Sequence, residues 1–418
     1  MKYGRIAGWG KYVPAKVLTN FDLEKMVDTN DEWIVTRTGI RQRRIAGEGE
    51  TTTTMSTEAA RAALERAGVG PQDVDLIILA SSSPDYFLPP ASSMVQEALG
   101  ARCGAFSLAA GCTGFVYGLI TAQAFIASEM YRNILVIGAE TISRNVDWTD
   151  RETCVLFGDG AGAVLVQACD TPSGVLSSVL GSDGSGSQYL IVPGIGCRIP
   201  ITHETIDQKL HTIRMDGRKV FKFATRTMAQ SAAEAIAQAG MSVSDIDLLI
   251  PHQANLRIIE LAARQLNLSM DKVFVNLEKY GNTSAASVPL AWCEAIEQGR
   301  CKPGDNVCLV GFGAGLTWAA AVVRMGETER PFAVDAASFL NGALWGVPLQ
   351  RFRTRAEVAV RTAQTNLSMQ AQGTFHSARK AASKQAEKVM RTAKDVASMA
   401  VVPLYGRSDK HYPNDKGH

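Results

Sequence analysis

Apolar and polar residues follow one another along the chain in blocks that predict alternating helices and strands. The segment from Thr57, "TEAARAALERAGVGPQDVDLIILASSS", has the pattern of an amphipathic helix, a glycine turn and a buried strand at Leu76–Ala80. The segment from Ala229, "AQSAAEAIAQAGMSVSDIDLLIPHQAN", repeats this order with a strand at Leu248–Pro251. Continuous Val, Ile and Leu runs between helices are typical of parallel or mixed sheets that are covered by helices on both faces.

These two segments belong to a longer internal repeat. "NILVIGAE" matches "NVCLVGFG" about 170 residues later, and between them "GCT" at Gly111 stands opposite "GNT" at Gly281. A repeat of this kind predicts two related α/β halves, residues 1–175 and 176–326, followed by an extension at 327–418. Because corresponding strand ends of such halves meet near their interface, Cys112 and Asn282 are expected to lie close together.

Cys112 stands at the head of an apolar, helix-length run, "GCTGFVYGLITAQAFIA". Gly111 and Gly114 allow a sharp turn there. The free N–H groups and the positive end of a helix dipole stabilise a thiolate, so the sequence predicts a Cys112 with a lowered pKa. The alternative is an inert core cysteine, because cysteine is among the most buried residue types.

His252 and Asn282 are the other two residues with candidate chemistry. His252 directly follows the buried strand of the second half, at the strand end where open α/β sheets bind ligands. A hydrogen-bonded structural histidine is the alternative. Asn282, in "YGNTSAASVPLA", has by itself only the pattern of a helix N-terminal cap.

Composition and charge exclude several classes of function. The 418 residues carry a formal net charge of +2, so the whole chain lacks the basic excess of a nucleic-acid-binding protein. The eight cysteines include no CxxC pair and no secretory leader precedes them, which predicts reduced thiols in a cytoplasm. No apolar run is long enough to span a membrane, and the histidines lack the spacing of a metal site.

Taken together, six motifs resemble the β-ketoacyl-acyl carrier protein synthase III family of the thiolase superfamily. The resemblance covers about Tyr3 to Met325 and implies a thiolase-like fold of two pseudo-symmetric α/β halves, layered α-β-α-β-α, plus a helical C-terminal extension. The motifs, in chain order, are "DEWIVTRTGIRQRRIA", "GCTGFVYGL", "DRETCVLFGDGAGAVL", "PHQANLRII", "YGNTSAASVPLA" and "GFGAGLTWAA".

The resemblance implies a decarboxylative Claisen condensation that starts fatty acid synthesis. Cys112 would take an acyl group from acyl-CoA, and the backbone N–H groups of Cys112 and Ala314 would form the oxyanion hole. Malonyl-acyl carrier protein would then enter. His252 and Asn282 would hydrogen-bond its thioester oxygen and stabilise the enolate that forms on decarboxylation. No cofactor is implied, because acyl-CoA and the malonyl carrier are both substrates.

The resemblance also implies binding residues and a homodimer. Trp33 and Arg151 would hold the CoA adenine, and Arg37 its phosphates. Phe87 and Phe157 would line the acyl pocket, with Phe87 closing the pocket of the dimer partner and favouring a short primer. The cations presented to the acidic acyl carrier protein would be Lys222, Arg257 and Arg264.

Rival functions remain within and outside the superfamily. A thiolase has a second catalytic cysteine where this chain has "GFGAG", and an elongating ketoacyl synthase has a histidine where Asn282 stands. A polyketide-type synthase or a hydroxymethylglutaryl-CoA synthase shares Cys and His, so priming of a secondary-metabolite pathway is the closest alternative. A rival of another class is a thiolase-fold scaffold that acts through its C-terminal tail.

The resemblance ends before residues 327–418, which form a basic appendage. They carry 14 Lys and Arg against 8 Asp and Glu, whereas the first 326 residues carry 29 against 33. Small residues step by three and four from Ala378 to Ala400, which predicts a narrow amphipathic helix, and the last residues have the composition of a disordered tail. Three hypotheses compete for this helix: docking on the enzyme's own dimer, contact with a partner or oligomer, and contact with an anionic lipid surface.

Overall fold

The computed structural model describes residues 2–326, which lie within one compact unit. The strands are β1 Tyr3–Tyr12, β2 Val17–Thr19, β3 Gln42–Arg44, β4 Leu76–Ala80, β5 Gly104–Leu108, β6 Asn133–Glu140, β7 Gly160–Cys169, β8 Gly174–Ser182, β9 Leu190–Ile191, β10 Arg214–Met215, β11 Leu248–Pro251, β12 Asn306–Gly313 and β13 Thr317–Arg324. The α-helices are α1 Asn20–Leu23, α2 Asp31–Thr38, α3 Thr52–Ala67, α4 Ala91–Leu99, α5 Gly114–Ala127, α6 His203–Asp207, α7 Gly217–Gln238, α8 Leu256–Gln265, α9 Leu277–Tyr280 and α10 Ser287–Glu297.

Two mixed sheets form the frame, and each is built from one copy of the internal repeat. The strand order is β1-β7-β6-β4-β5 in the first sheet and β8-β13-β12-β11 in the second. In the first, β4 pairs with β6 in parallel with Leu76 opposite Ile134; in the second, β11 pairs with β12 in parallel with Leu248 opposite Val307. The next strand is antiparallel in both sheets, so the predicted repeat is confirmed down to the pairing of strands.

The two buried helices α5 and α10 pack between the sheets. Alternate strand residues face them: Ile78 and Ile250 belong to the same apolar cluster as Phe115 of α5 and Trp292 of α10. The two rings meet edge to face, with centroids 6.5 Å apart. The other strand faces are covered by α3 and α4 on the first sheet and by α7 and α8 on the second. This is the predicted α-β-α-β-α layering.

Each middle helix is preceded by a 3-10 turn, and these turns correct the predicted alignment of the repeat. The turns are Gly111–Thr113 before α5 and Ser284–Ala286 before α10. Their starts are 173 residues apart, as are the starts of β6 and β12 at Asn133 and Asn306. Ala285 is therefore the positional counterpart of Cys112, and Asn282 stands three residues upstream of it.

The C-terminal extension and its predicted amphipathic helix lie outside the described residues. Among residues 2–326, no helix combines the length and the apolar character needed to cross a membrane.

Candidate active site

A cavity of about 930 Å³ brings together the three residues with candidate chemistry. Cys112, His252 and Asn282 all line it, and their exposed fractions are 6, 1 and 8%. Each comes from a different segment: the turn before α5, the loop after β11 and the loop before α10. The expectation that Cys112 and Asn282 lie close together is confirmed.

The loop after β12 lies directly against Cys112. Gly111 has φ +55°, and a Cβ atom added there would stand 2.9 Å from the backbone N of Ala314, so a side chain would obstruct this approach. The hydroxyls of Thr113 and Thr317 hydrogen-bond at 3.0 Å and tie the two loops together. The backbone N–H groups of Cys112 and Ala314 both act on the Cys112 sulfur and lower the pKa of its thiol.

The prediction that Cys112 has a lowered pKa is wrong. Burial, together with the carboxylate of Glu140, raises the pKa of this thiol to about 11. The contact with the Ser284 side chain and the backbone N–H groups of Ala314 and Cys112 act in the opposite direction but do not offset the loss of hydration. In addition, α5 begins at Gly114, so Cys112 lies in the turn before the helix.

His252 is a buried, neutral imidazole. Its backbone N–H donates to Val310 at 2.7 Å, and its Nδ1 hydrogen-bonds to the hydroxyl of Ser287 at the start of α10. Its Nε2 is buried and has no protein partner. Burial lowers the pKa of the ring to about 3, so it carries no charge at neutral pH.

Asn282 is fixed on both sides of its backbone and through its side chain. Its N–H donates to Leu156, and its carbonyl accepts from Gly158 at 3.0 Å. The side-chain Oδ1 accepts the N–H of Ser284 at 2.9 Å. Because a backbone N–H can only donate, this contact identifies Oδ1 and leaves the Nδ2 amino group as the donor for the cavity. The cap predicted for Asn282 is not formed, since α10 begins at Ser287 with Ala286 as its N-cap.

Exposed arginines surround an aromatic ring at the open end of the cavity. The guanidinium carbons of Arg37 and Arg151 lie 4.7 and 5.4 Å from the ring centroid of Trp33, and all three residues line the cavity. Arg257 lines it as well, and Asn255 both caps α8 and donates to the carbonyl of Arg37 at 2.9 Å. The predicted CoA-binding residues are therefore adjacent to one another.

The remaining predicted residues have different positions. Phe157 is buried, lines the cavity and pairs with Asn282 through a β-bridge. Phe87 does not line this protomer's cavity and is 78% exposed, in an apolar loop with Tyr86 and Leu88. Lys222 is exposed on α7 without lining the cavity, and Arg264 lines a separate, smaller depression on α8.

Several residues of this site carry no recognised sequence signal. Ser284 contacts Cys112 and Asn282, and Ser287 contacts His252. Arg218 is a further cation that lines the cavity. Glu140 is wholly buried and hydrogen-bonds to Ser284. The only hint of Glu140 was a single acid that ends the apolar strand "NILVIGAE". Within residues 2–326, no group of three or more His, Cys, Asp or Glu side chains is arranged to hold a metal ion.

Comparison with known proteins gives a consistent family. The family model described as 3-oxoacyl-[acyl-carrier-protein] synthase III matches residues 106–184, and the model of its C-terminal part matches residues 236–325. The β-ketoacyl-[acyl-carrier-protein] synthase III of Caldanaerobacter subterraneus subsp. tengcongensis is 54% identical over 320 residues, which are 76% of this chain and 97% of the relative. The chain belongs to the 3-oxoacyl-[acyl-carrier-protein] synthase III family.

Solved structures of synthase III enzymes share the fold. The enzyme from Aquifex aeolicus is 48% identical and superposes with a TM-score of 0.72 over 77% of this chain and 99% of its own. The priming β-ketosynthase of the R1128 polyketide pathway is 35% identical, with a TM-score of 0.73 over 78% of this chain and 97% of its own. The predicted thiolase-like fold and the class of acyltransferase-type condensing enzyme are thereby confirmed.

Proposed function

We propose that this synthase III family member condenses a short acyl-CoA with malonyl-acyl carrier protein and so starts fatty acid synthesis. One observation carries the proposal: a thiol, two neutral hydrogen-bond donors and a band of arginines share one cavity. The thiol can hold an acyl group, the two donors can stabilise an enolate, and the arginines can bind phosphates.

In the first half-reaction the Cys112 sulfur attacks the thioester carbonyl of acyl-CoA. The carbonyl oxygen becomes an oxyanion, which the N–H groups of Cys112 and Ala314 stabilise. Each donor of this type contributes about 2.7–4 kcal/mol to transition-state binding. CoA leaves as a thiol, and the acyl group remains on Cys112.

In the second half-reaction malonyl-acyl carrier protein occupies the emptied cavity. Loss of CO₂ moves charge onto the malonyl thioester oxygen, where Nε2 of His252 and Nδ2 of Asn282 donate hydrogen bonds. We assign the hydroxyl of Ser287 as the donor to Nδ1 of His252, an assignment that keeps the ring proton on Nε2. The enolate carbon then attacks the acyl–Cys112 thioester, which gives the 3-oxoacyl-carrier protein and frees the thiol. No cofactor takes part in either step.

Substrate binding follows from the charge and the apolar surface around the cavity. Trp33, Arg37 and Arg151 are proposed to hold the CoA nucleotide. The acidic carrier protein would approach Arg257, with Lys222 and Arg264 on neighbouring helices, through an attraction that weakens with salt.

A homodimer is proposed from the exposed apolar loop that carries Phe87. Three large apolar side chains in a row, Tyr86, Phe87 and Leu88, are each more than half exposed in a single protomer. Such a patch indicates an interface. In the dimer, Phe87 would close the partner's acyl pocket, at the cavity wall to which Phe157 contributes.

Priming of a polyketide or another secondary-metabolite pathway is the second candidate. The R1128 priming β-ketosynthase shares this fold and more than a third of its aligned residues, which supports the same chemistry with another acyl-CoA. Action in the cytoplasm remains a prediction; it is consistent with eight cysteines that are all free thiols.

The direct test is self-acylation. Incubation with radiolabelled acetyl-CoA should label the wild type at Cys112, while Cys112→Ala should take up no label. Cys308→Ala, which removes another buried thiol, serves as the matched control. An acyl-CoA length series would separate the two candidates, and failure to form an acyl-cysteine with any short acyl-CoA would refute the synthase function and favour a scaffold.

A further inference from the structure

Glu140 is a buried carboxylate next to the nucleophile that the reaction described above does not use. It ends β6 and has no exposed surface. None of the ion pairs formed within residues 2–326 includes it. A charge in such a position is costly unless hydrogen bonds replace its hydration. The groups that bond to its two oxygens are the hydroxyls of Ser81, Ser83 and Ser284 and the N–H groups of Ser82 and Ala285.

These bonds keep Glu140 in the role of acceptor. The two N–H groups can only donate. The hydroxyl oxygen of Ser83 accepts the N–H of Thr141 at 2.9 Å, and that of Ser81 accepts the N–H of Ser83 at 3.1 Å, so both hydroxyl protons are directed at the carboxylate. The site is therefore built to hold an anion, even though burial raises the pKa of Glu140.

Ser284 connects Glu140 with the nucleophile. Its hydroxyl oxygen lies 2.9 Å from the carboxylate and within hydrogen-bonding reach of the Cys112 sulfur. The backbone is in the left-handed region, with φ +48°. The turn that carries Ser284 lies directly on β6, because a Cβ atom added at Gly138 would stand 2.3 Å from the carbonyl oxygen of Ala285. The contact between β6 of the first half and the Ser284–Ala286 turn of the second half is therefore close and is made by the backbone.

We propose that Glu140 accepts the proton of Cys112 through the hydroxyl of Ser284 during thioester exchange. The Cys112 proton passes to the Ser284 oxygen while the Ser284 proton passes to Glu140. The sulfur then forms its bond to the acyl carbon. When the bond from that carbon to the CoA sulfur breaks, the proton on Glu140 returns to the Ser284 oxygen, the Ser284 proton passes to the CoA sulfur, and CoA leaves as a thiol. The inference rests on the proposed function.

His252, the other candidate base, is poorly suited to this step. Its Nδ1 is bonded to Ser287, and burial holds its pKa at about 3, so it binds a proton only weakly. Glu140 has the opposite property, because burial raises its pKa and so strengthens it as a base. The other charged groups that line the cavity are Arg37, Arg151, Glu152, Asp216, Arg218 and Arg257.

Glu140→Gln tests the relay, because it should change the pH midpoint of Cys112 alkylation and the rate of Cys112 acylation in different ways. The glutamine removes the negative charge that opposes a thiolate, so the pH midpoint of Cys112 alkylation by iodoacetamide should move down. It also removes the proton acceptor, so single-turnover acylation by acetyl-CoA at pH 7 should slow by about 100-fold. A purely structural defect would slow both the alkylation and the acylation of Cys112, and that result would overturn the proposal.

Ser284→Ala and Ser81→Ala form a matched pair. Each removes one hydroxyl from Glu140, but only Ser284 also reaches Cys112. Ser284→Ala should slow acylation to a similar extent, whereas Ser81→Ala, which leaves the contact between Ser284 and Cys112 in place, should slow it far less. Equal losses in the two variants would contradict the relay.

The wild type gives a measurement that needs no variant. If two protons move in the rate-limiting step, the acylation rate should fall non-linearly as the deuterium fraction of the solvent rises. An acylation rate that does not change with the deuterium fraction would overturn the relay. If the wild type forms no acyl-cysteine, the proposed function fails, and the alkylation midpoints of the variants still test the contact with Cys112. If it acylates normally and Glu140→Gln does too, only the relay fails.

Discussion

Nδ1 of His252 hydrogen-bonds to the hydroxyl of Ser287, which joins the loop after β11 to the first residue of α10. This bond leaves Nε2 as the ring atom without a protein partner. Asn282 is oriented in a similar way, by the N–H of Ser284 on its Oδ1. Each side chain is thus held by one protein contact, the imidazole at Nδ1 and the amide at Oδ1.

We expect His252→Ala and Asn282→Ala to separate the two half-reactions. Malonyl decarboxylation should fall by roughly 10²–10³-fold in each variant, the usual effect of removing one donor from a developing oxyanion. Self-acylation of Cys112 by acetyl-CoA should persist, because its oxyanion is bound by backbone N–H groups. Both rates can be followed with labelled acetyl-CoA and labelled malonyl-carrier protein, and an equal loss of the two would contradict the assigned roles.

We expect alkylation of Cys112 to have an alkaline pH profile. Its pKa is raised from 9.0 to about 11, so it is protonated at pH 7, and its rate with iodoacetamide should rise about tenfold per pH unit towards pH 11. The exposed Cys197 provides an internal reference in the same digest. A rate that is already maximal at pH 7 would indicate a resting thiolate instead.

The same shift has a consequence for stability. The unfolded chain releases the Cys112 proton near pH 9, whereas the folded chain releases it only near pH 11. The contribution of this thiol to the free energy of unfolding is therefore complete below pH 9 and is lost between pH 9 and pH 11. Cys112→Ala should flatten that part of the pH dependence of the free energy of unfolding.

Arg151→Ala should raise the KM for acetyl-CoA by roughly 10-fold and leave kcat nearly unchanged, since a charge-assisted contact contributes about 1.5–3 kcal/mol. The guanidinium lies against Trp33 at the open end of the cavity, away from the reacting atoms. Arg102→Ala removes an exposed arginine that does not line the cavity and should have no effect. A fall in kcat alone would argue against a role in CoA binding.

Phe87→Ala should shift primer preference towards longer acyl-CoAs, by roughly 10-fold in the ratio of kcat/KM for hexanoyl-CoA to that for acetyl-CoA. Tyr86→Ala is the control, because it removes the neighbouring exposed ring. An unchanged ratio in Phe87→Ala would show that this residue does not form the acyl pocket of either protomer.

Removal of residues 331–418 should leave a folded protein that still acylates Cys112. Both sheets and all three central residues lie within the described range, and the matched 320 residues cover 97% of a family relative. Circular dichroism and self-acylation check this outcome. An aggregated product would show that the extension is part of the fold.

The sequence predicts the architecture because the repeat is expressed in strong local patterns. Helix α3 with strand β4, and helix α7 with strand β11, are both visible as periodic apolar positions. The pKa of Cys112 is a different matter, because it depends on how much water the folded loops exclude and on Glu140, which is 28 residues away in the chain. The periodic pattern of apolar residues identifies helices and strands, whereas the pKa of a side chain depends on distances between residues that are set only when the chain folds.

The correspondence between Cys112 and Ala285 has an evolutionary consequence. Two equivalent turns precede the two middle helices, but only the first carries a sulfur, while the second donates the N–H of Ala285 to Glu140. In the present chain the halves have become unequal, and neither could be exchanged for a copy of the other without loss of the reaction.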